Sequence, residues 1–253
     1  MPPPPAAPPE PGPPITIGTP HRRRLREIWR SAGWPCQDLV EVELLAAGLL
    51  ERVPDGAGHE TLRVTDAGVR LLAATLRANR AARDAHELLV ERVAREMQRA
   101  GRVVWRGLSL RAPLVAAAGA TIGPAEGPTG GTAWAIAMPD VFSIRHTTVE
   151  DYVEPVVHEI KVRRADLLAD LRRAEKRAAY VALSSQCWYV LREGIGTADD
   201  VPPECGVLIA GASALELARP APKRAMRLAF GTWMALARAA AEPPLDDDAQ
   251  GML

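Results

Sequence analysis

Apolar positions recur along this chain with two different periods, and the changes between them divide it. His21-Arg22-Arg23-Arg24-Leu25-Arg26-Glu27-Ile28-Trp29 opens a helix, and Leu39 to Leu50 reads as a second helix stopped at Gly48. Glu51-Arg52-Val53, the turn Pro54-Asp55-Gly56 and the short run Thr61-Leu62-Arg63-Val64 read as a hairpin. Thr65 or Asp66 can cap a helix through Val69, Leu71 and Leu72. Residues 21–80 are therefore predicted as helix, helix, hairpin, helix. From Ala85 to Arg99, His86, Leu89, Val90, Val93 and Met97 share one helical face. Strand-like runs follow at Arg102–Leu110, Ala133–Ile144 and Pro155–Val162, with a Gly-rich loop from Gly119 to Gly131. A long helix is predicted from Asp166 to Ser184, then strands at Cys187–Leu191 and Gly206–Ala210. This order predicts residues 81–240 as an α/β domain with a central mixed sheet flanked by helices. Residues 1–20 hold ten of the 23 prolines and read as a disordered or polyproline-like tail, and 241–253 as a flexible tail.

Composition adds limits. At 47% hydrophobic and 25% charged, the chain has enough apolar surface to offset the entropy of ordering. No apolar run of about 18 residues occurs, so no membrane span is expected. Cys36, Cys187 and Cys205 form neither a disulfide framework nor a Cys-x-x-Cys knuckle. With prolines where a signal peptide would need a basic start, a cytoplasmic setting is expected. Net charge is zero, which argues against a broad positive field but permits a local basic groove. Of 31 basic residues only Lys161, Lys176 and Lys223 are lysine. In an arginine background, a lysine can mark a place where arginine will not serve.

Lys161 lies in such a place. On an extended strand Val157, Glu159 and Lys161 point one way, and Val156, His158, Ile160 and Val162 the other. The first set puts a carboxylate and an ammonium about 7 Å apart on one face. If the preceding strand pairs in register, Asp140 stands beside Glu159, since neighbouring strands are about 5 Å apart. Two carboxylates suit a hard divalent cation such as Mg²⁺ or Mn²⁺, which keeps waters and leaves room for a phosphate oxygen. The Ile160 carbonyl can add another oxygen. Lys161 can hold or deprotonate the attacking water, or neutralise charge on phosphorus. His158 reads as a core histidine, and the five histidines show no metal-ligand spacing.

Pro139-Asp140 followed after 18 residues by Glu159-x-Lys161 resembles the motif of the PD-(D/E)xK nuclease superfamily. A longer stretch, Glu159-Ile160-Lys161-Val162-Arg163-Arg164-Ala165-Asp166-Leu167-Leu168-Ala169-Asp170, then Lys176, Tyr180 and Trp188-Tyr189-Val190, is similar to the MmcB-type DNA repair endonucleases. So are Pro203-Glu204-Cys205-Gly206-Val207-Leu208-Ile209-Ala210 and Leu217-Ala218-Arg219-Pro220. The resemblance implies a restriction-endonuclease-like fold, divalent-metal chemistry and a role in bacterial DNA repair. One departure is Trp105-Arg106-Gly107, where the resemblance leads one to expect a glutamate. Glu87, on the helix before that strand, is the candidate replacement ligand. The helix after the motif carries Arg163, Arg164, Arg172, Arg173, Lys176 and Arg177 against Asp166, Asp170 and Glu175. Arg163, Arg164, Arg173, Lys176, Arg177 and Tyr180 are candidates for contact with a DNA backbone, the alternative being an ordinary solvated face.

The order of elements in 21–80, with Ala47 to Arg52 and Thr65 to Gly68, resembles MarR-like winged-helix domains. Its second helix carries Asp38, Glu41 and Glu43 and no basic residue, which disfavours groove reading. The unit reads first as a packing or dimerisation module and the protein as a homodimer through it. The expected function is metal-dependent hydrolysis of DNA phosphodiesters. The alternatives are a non-catalytic winged-helix DNA-binding regulator with a degenerate nuclease-like domain, and a protein-interaction scaffold.

Overall fold

The computed structural model describes residues 15–31, 33–54, 56, 58–114 and 133–245. The proline tail to residue 14, the Gly-rich loop between 115 and 132 and the last eight residues lie outside that set. The chain divides after Ala81 into two compact units. The first contains α1 (Thr19–Arg30), α2 (Leu39–Ala46), an antiparallel pair β1 (Leu50–Pro54) and β2 (Glu60–Val64), and the start of α3 (Asp66–Arg99). Leu25, Ile28, Leu44, Leu49, Leu50, Leu62 and Leu72 form its core. Gly48 ends α2 at φ +67°, the left-handed conformation that glycine adopts without steric cost.

The acids of α2 are used internally. Asp38 accepts from the Glu41 N–H as the helix N-cap and pairs with Arg24 at 2.5 Å. Glu41 is buried and its Oε2 accepts from the N–H groups of Cys36 (2.6 Å) and Gln37 (3.2 Å). Glu43 meets His21 at 2.6 Å. The three acids thus have partners within the unit, a guanidinium, two backbone N–H groups and an imidazole, which the sequence of α2 alone does not show.

The second unit, from Ala82, is mixed α/β. Its strands are β3 (Arg102–Arg106), β4 (Leu110–Leu114), β5 (Ala133–Ala137), β6 (Val141–Arg145), β7 (Val156–Lys161), β8 (Gln186–Arg192), β9 (Gly206–Ala210) and β10 (Leu215–Arg219). Helices α4 (Arg164–Leu171) and α5 (Ala174–Leu183) connect β7 to β8, and α6 (Phe230–Arg238) follows β10. Six strands form one sheet in the order β10-β9-β8-β7-β6-β3. The pairs β7–β8 and β8–β9 are parallel and the other three antiparallel. The second half of α3 covers one face, where Leu89, Val90 and Val93 pack with Val104, Val141, Ile160, Val162 and Val190. On the other face Phe142, Val157, Tyr189 and Leu191 pack with Leu167, Ala179, Tyr180, Leu183 and Leu236. A central strand covered on both faces reads as an almost unbroken apolar run, as Cys187-Trp188-Tyr189-Val190-Leu191 does.

Four predicted boundaries change. Residues 66–99 form one helix, since nothing between Leu72 and Ala85 breaks it. The run Arg102–Leu110 splits at Gly107 (φ +59°), and Ala133–Ile144 splits at Met138–Asp140, where Pro139 has no N–H for the ladder. These two breaks face each other: Gly107 donates its N–H to the Asp140 carbonyl at 3.2 Å. The β4–β5 pair keeps the register of β3–β6, Leu110 opposite Ala137 and Arg106 opposite Val141, so the four strands are one ribbon bent in the middle. The predicted helix Asp166–Ser184 is two helices, broken at Arg172–Arg173. The edge strand β10 and helix α6 were not predicted at all. Among the described residues no helix is long and apolar enough to cross a membrane.

One fold-level expectation follows from Gly33, whose φ is +77° and whose carbonyl accepts from the Leu62 N–H at 2.7 Å. A Cβ there would lie 2.2 Å from the Leu62 carbonyl oxygen. Gly33→Ala is expected to cost the first unit about 1–3 kcal/mol in urea unfolding; an unchanged midpoint would contradict this packing.

Candidate active site

The bend in the ribbon sets Asp140. It follows Pro139 immediately and precedes β6, whose ladder with β7 runs Val141–His158, Phe142–Val157, Ser143–Val156. One further step in this register puts Asp140 opposite Glu159. Its Oδ2 accepts the Ile160 N–H at 2.7 Å, so the carboxylate caps the end of the ladder. Alternation along β7 sends Val157, Glu159 and Lys161 toward α4 and α5, and Ile160 toward α3.

The face that receives Glu159 is covered as closely as the other, and Glu159 is only 2% exposed. Its Oε1 accepts from Lys161 (2.5 Å) and from Lys176 (2.6 Å). Lys176 also donates to Asp170 Oδ1 at 2.6 Å, and Lys161 stands 3.4 Å from the same oxygen. Tyr189 donates to Asp170 Oδ2 at 2.8 Å. Two carboxylates and two ammonium groups thus form one buried, neutral cluster, the arrangement that makes burial of charge tolerable. The helix break makes it possible. In a straight helix residues 170 and 176 would be about 120° apart around the axis; the interruption at Arg172–Arg173 brings Lys176 back over Asp170.

Among the described residues, Glu159 Oε2 is buried and has no hydrogen-bond partner. Burial and the nearby Asp140 carboxylate push the Glu159 pKa up, against the pull of Lys161 and Lys176. Burial pulls on Lys176 in the opposite direction, but Glu159 and Asp170 outweigh it and its pKa is raised. Asp170 is likewise penalised by burial, yet Lys176, Lys161 and Tyr189 hold its pKa down.

Asp140 also borders an open cleft of about 430 Å³ lined by His86, Glu87, Val90, Arg106, Gly107 and Glu242. Glu87 is in its wall, exposed, with its carboxylate 3.5 Å from His86 Nδ1. His86 Nε2 stands 3.4 Å from Asp140 Oδ2, and its pKa is raised, first by the hydrogen bond to Asp140. The sequence placed His86 on the apolar face of its helix; it is half-buried and joins Asp140 to Glu87. Neither Glu159 nor Lys161 lines this cleft.

The candidate phosphate contacts separate. Arg163 is the half-buried N-cap residue of α4, and Arg173 is exposed at the start of α5. Arg164 makes a two-pronged pair with Asp200 at 2.9 Å and donates to the Ile195 carbonyl. Arg177 holds Glu204 (2.8 Å) and the Leu171 carbonyl. Lys176 belongs to the buried cluster. Tyr180 is wholly buried and donates its hydroxyl to the Met138 carbonyl at 2.9 Å, so it pins the ribbon bend and has no surface left for a phosphate. Lys176 stacks over its ring at 5.2 Å. His158 is buried, and burial with Arg102 nearby lowers its pKa to about 3, so it stays neutral.

The donors near Glu159 fit a hard divalent cation. A buried carboxylate oxygen without a partner is the kind of group that a bound ion satisfies, and Asp140 stands near enough for its charge to raise the Glu159 pKa. Among the described residues no group of three His, Cys, Asp or Glu side chains is gathered as a metal cage. A two-carboxylate set suits Mg²⁺, which completes its shell with water and phosphate oxygen.

No known family model matches the chain, and no curated protein does. Among solved structures it is similar to a protein of unknown function from Silicibacter pomeroyi, with 24% identity, a TM-score of 0.37, and coverage of 58% of this chain and 76% of the other.

The bare oxygen of Glu159 has a measurable consequence. A carboxyl group with a raised folded pKa contributes its full stability below the unfolded value of about 4.3, and that contribution is lost as pH rises through the folded value. Removing the charge should therefore compare better with the parent at high pH than at low pH. In EDTA, the melting temperature of Glu159→Gln relative to that of the parent is expected to rise between pH 4 and pH 8. A difference that does not move with pH, or that falls, would contradict the account of this site.

Proposed function

We propose that the second unit is a divalent-metal-dependent DNA nuclease of the PD-(D/E)xK kind with a restriction-endonuclease-like core, acting in bacterial DNA repair, and that the first is a winged-helix module. The observation that carries this reading is the partnerless buried oxygen of Glu159 beside Asp140, with Lys161 on the same residue's other oxygen. Asp140, Glu159 and the Ile160 carbonyl would hold Mg²⁺ or Mn²⁺; Glu87 lines the cleft that Asp140 borders and Glu159 does not. When bound, the cation acts as a Lewis acid and lowers the pKa of its water.

The chain's own groups have separable tasks. Asp140, fixed by the Ile160 N–H, presents its carboxylate at the bend. Lys161 is a compact ammonium that can orient a water or offset the charge that builds on phosphorus as the water oxygen adds and the P–O bond to the sugar breaks. Lys176 and Asp170 keep Glu159 Oε1 occupied and so turn Oε2 to the cation. Lys176 and Tyr180 serve this structure and not the DNA backbone, and Arg173, exposed at the start of α5, would meet a phosphate on this side.

The reading of the chain as a non-catalytic regulator gains one observation, since Asp38, Glu41 and Glu43 each have a hydrogen-bonding partner within the first unit. Cleavage separates the two. Lys161→Ala and Asp140→Asn are each expected to lower Mg²⁺-dependent cleavage of single-stranded, duplex or flapped DNA by about 100-fold or more, while the DNA is still retained. A parent chain that cuts none of these, with a metal-independent gel shift untouched by Asp140→Asn, would replace the nuclease by the regulator.

Trp34, Leu39 and Val42 are exposed on the first unit, an apolar surface that suits self-association. Leu39→Glu with Val42→Glu is expected to convert a dimer to a monomer in sedimentation; a monomeric parent at high concentration would contradict dimerisation through this unit.

A further inference from the structure

The ribbon beyond the bend has an inner and an outer face. Leu110, Ala112 and Ala137 turn inward, where the ribbon packs on α5 and α6. Outward stand Arg111, Trp134 and Ile136, with Met138 just past the end of β5. Trp134 is 50% exposed, Ile136 76% and Met138 57%, a concentration of apolar surface on one short element. Arg111 pairs with Ile136 and so lies diagonal to Trp134, and its guanidinium sits 5.5 Å from the centre of the indole ring. In a chain with as many acids as bases, neither Leu110–Leu114 nor Ala133–Ala137 contains an acidic residue.

We propose that this outer face is a binding site for unpaired nucleotides, with Trp134 as the stacking platform for a base and Arg111 as the partner of the adjoining phosphate. A flat aromatic surface flanked by aliphatic side chains and a cation, without acids, matches the chemistry by which proteins hold single strands irrespective of sequence. Paired bases inside a duplex have both faces already stacked and offer none to Trp134. Met138 lies two residues before Asp140, so this face adjoins the bend that carries Asp140. The proposal deepens the nuclease reading, on which it rests for the site's purpose: the substrate carries a single-stranded stretch, as in a flap, gap or frayed end.

Its test does not require cleavage. The full chain in EDTA is titrated by fluorescence anisotropy into a short labelled oligothymidylate and into a duplex of equal length. Trp134→Ala is expected to weaken oligothymidylate binding about tenfold or more, Trp134→Phe to restore most of it, and duplex binding to change by less than about twofold. Arg111→Gln should weaken oligothymidylate binding and flatten its salt dependence. Equal losses for both DNAs, no loss for either, or a parent that does not bind oligothymidylate would overturn the proposal. So would a Trp134→Ala variant that loses only a concentration-dependent oligomer, which would make the face a contact between copies of the chain. Binding that depends on Trp134 in a chain that cuts nothing would sink the nuclease reading and leave this site standing.

Discussion

One carboxylate, Glu159, is buried in the sheet with one oxygen held by two lysines and the other, among the described residues, without a hydrogen-bond partner. Burial of a charge is expensive; the two lysines balance this one, but only one of its oxygens is hydrogen-bonded. The remainder of the site can be understood as support for that condition. Asp170 supplies the second negative charge that keeps Lys161 and Lys176 in place, and Tyr189 supplies the donor that keeps Asp170 in place. Asp140, tied to the next backbone N–H, sits close enough to raise the cost further. The proposed cation, bound between the two carboxylates, would offset that cost.

The bent ribbon links this electrostatic arrangement to the architecture. Gly107 and Pro139 interrupt the hairpin at the same level, one by a left-handed backbone and the other by a missing donor. The Asp140 carbonyl and the Met138 carbonyl are then taken by Gly107 N–H and the Tyr180 hydroxyl. The break therefore leaves few backbone groups unsatisfied, frees Asp140 from the regular ladder, and aims the outer half of the ribbon away from the main sheet.

Much of this was legible in the residues. Period-two alternation through residues 156–162 separates Glu159 and Lys161 from Ile160 and Val162, and the scarcity of lysine draws attention to 161 and 176. What was hidden depends on tertiary packing. That both faces of β7 are covered cannot be read from β7 alone, so Glu159 could not be known to be buried. Asp170 has the spacing of an ordinary surface acid in a continuous helix, and only the break after Leu171 turns it inward. Tyr180 shares a helical face with Lys176 in either case, but the face points to the core. His86 has the period of a core residue and lies at the border where the helix face meets the cleft. The acids of α2 look repulsive to DNA in the sequence because their partners, Arg24 and His21, come from a different helix.

Calorimetric titration of the full, DNA-free chain with Mn²⁺ bears most directly on the bare oxygen of Glu159. The account expects binding that is lost or weakened about tenfold or more in Glu159→Gln and in Asp140→Asn, and preserved in Arg164→Gln, a surface control. Mn²⁺ affinity equal in all four proteins, or none in the parent, would contradict it.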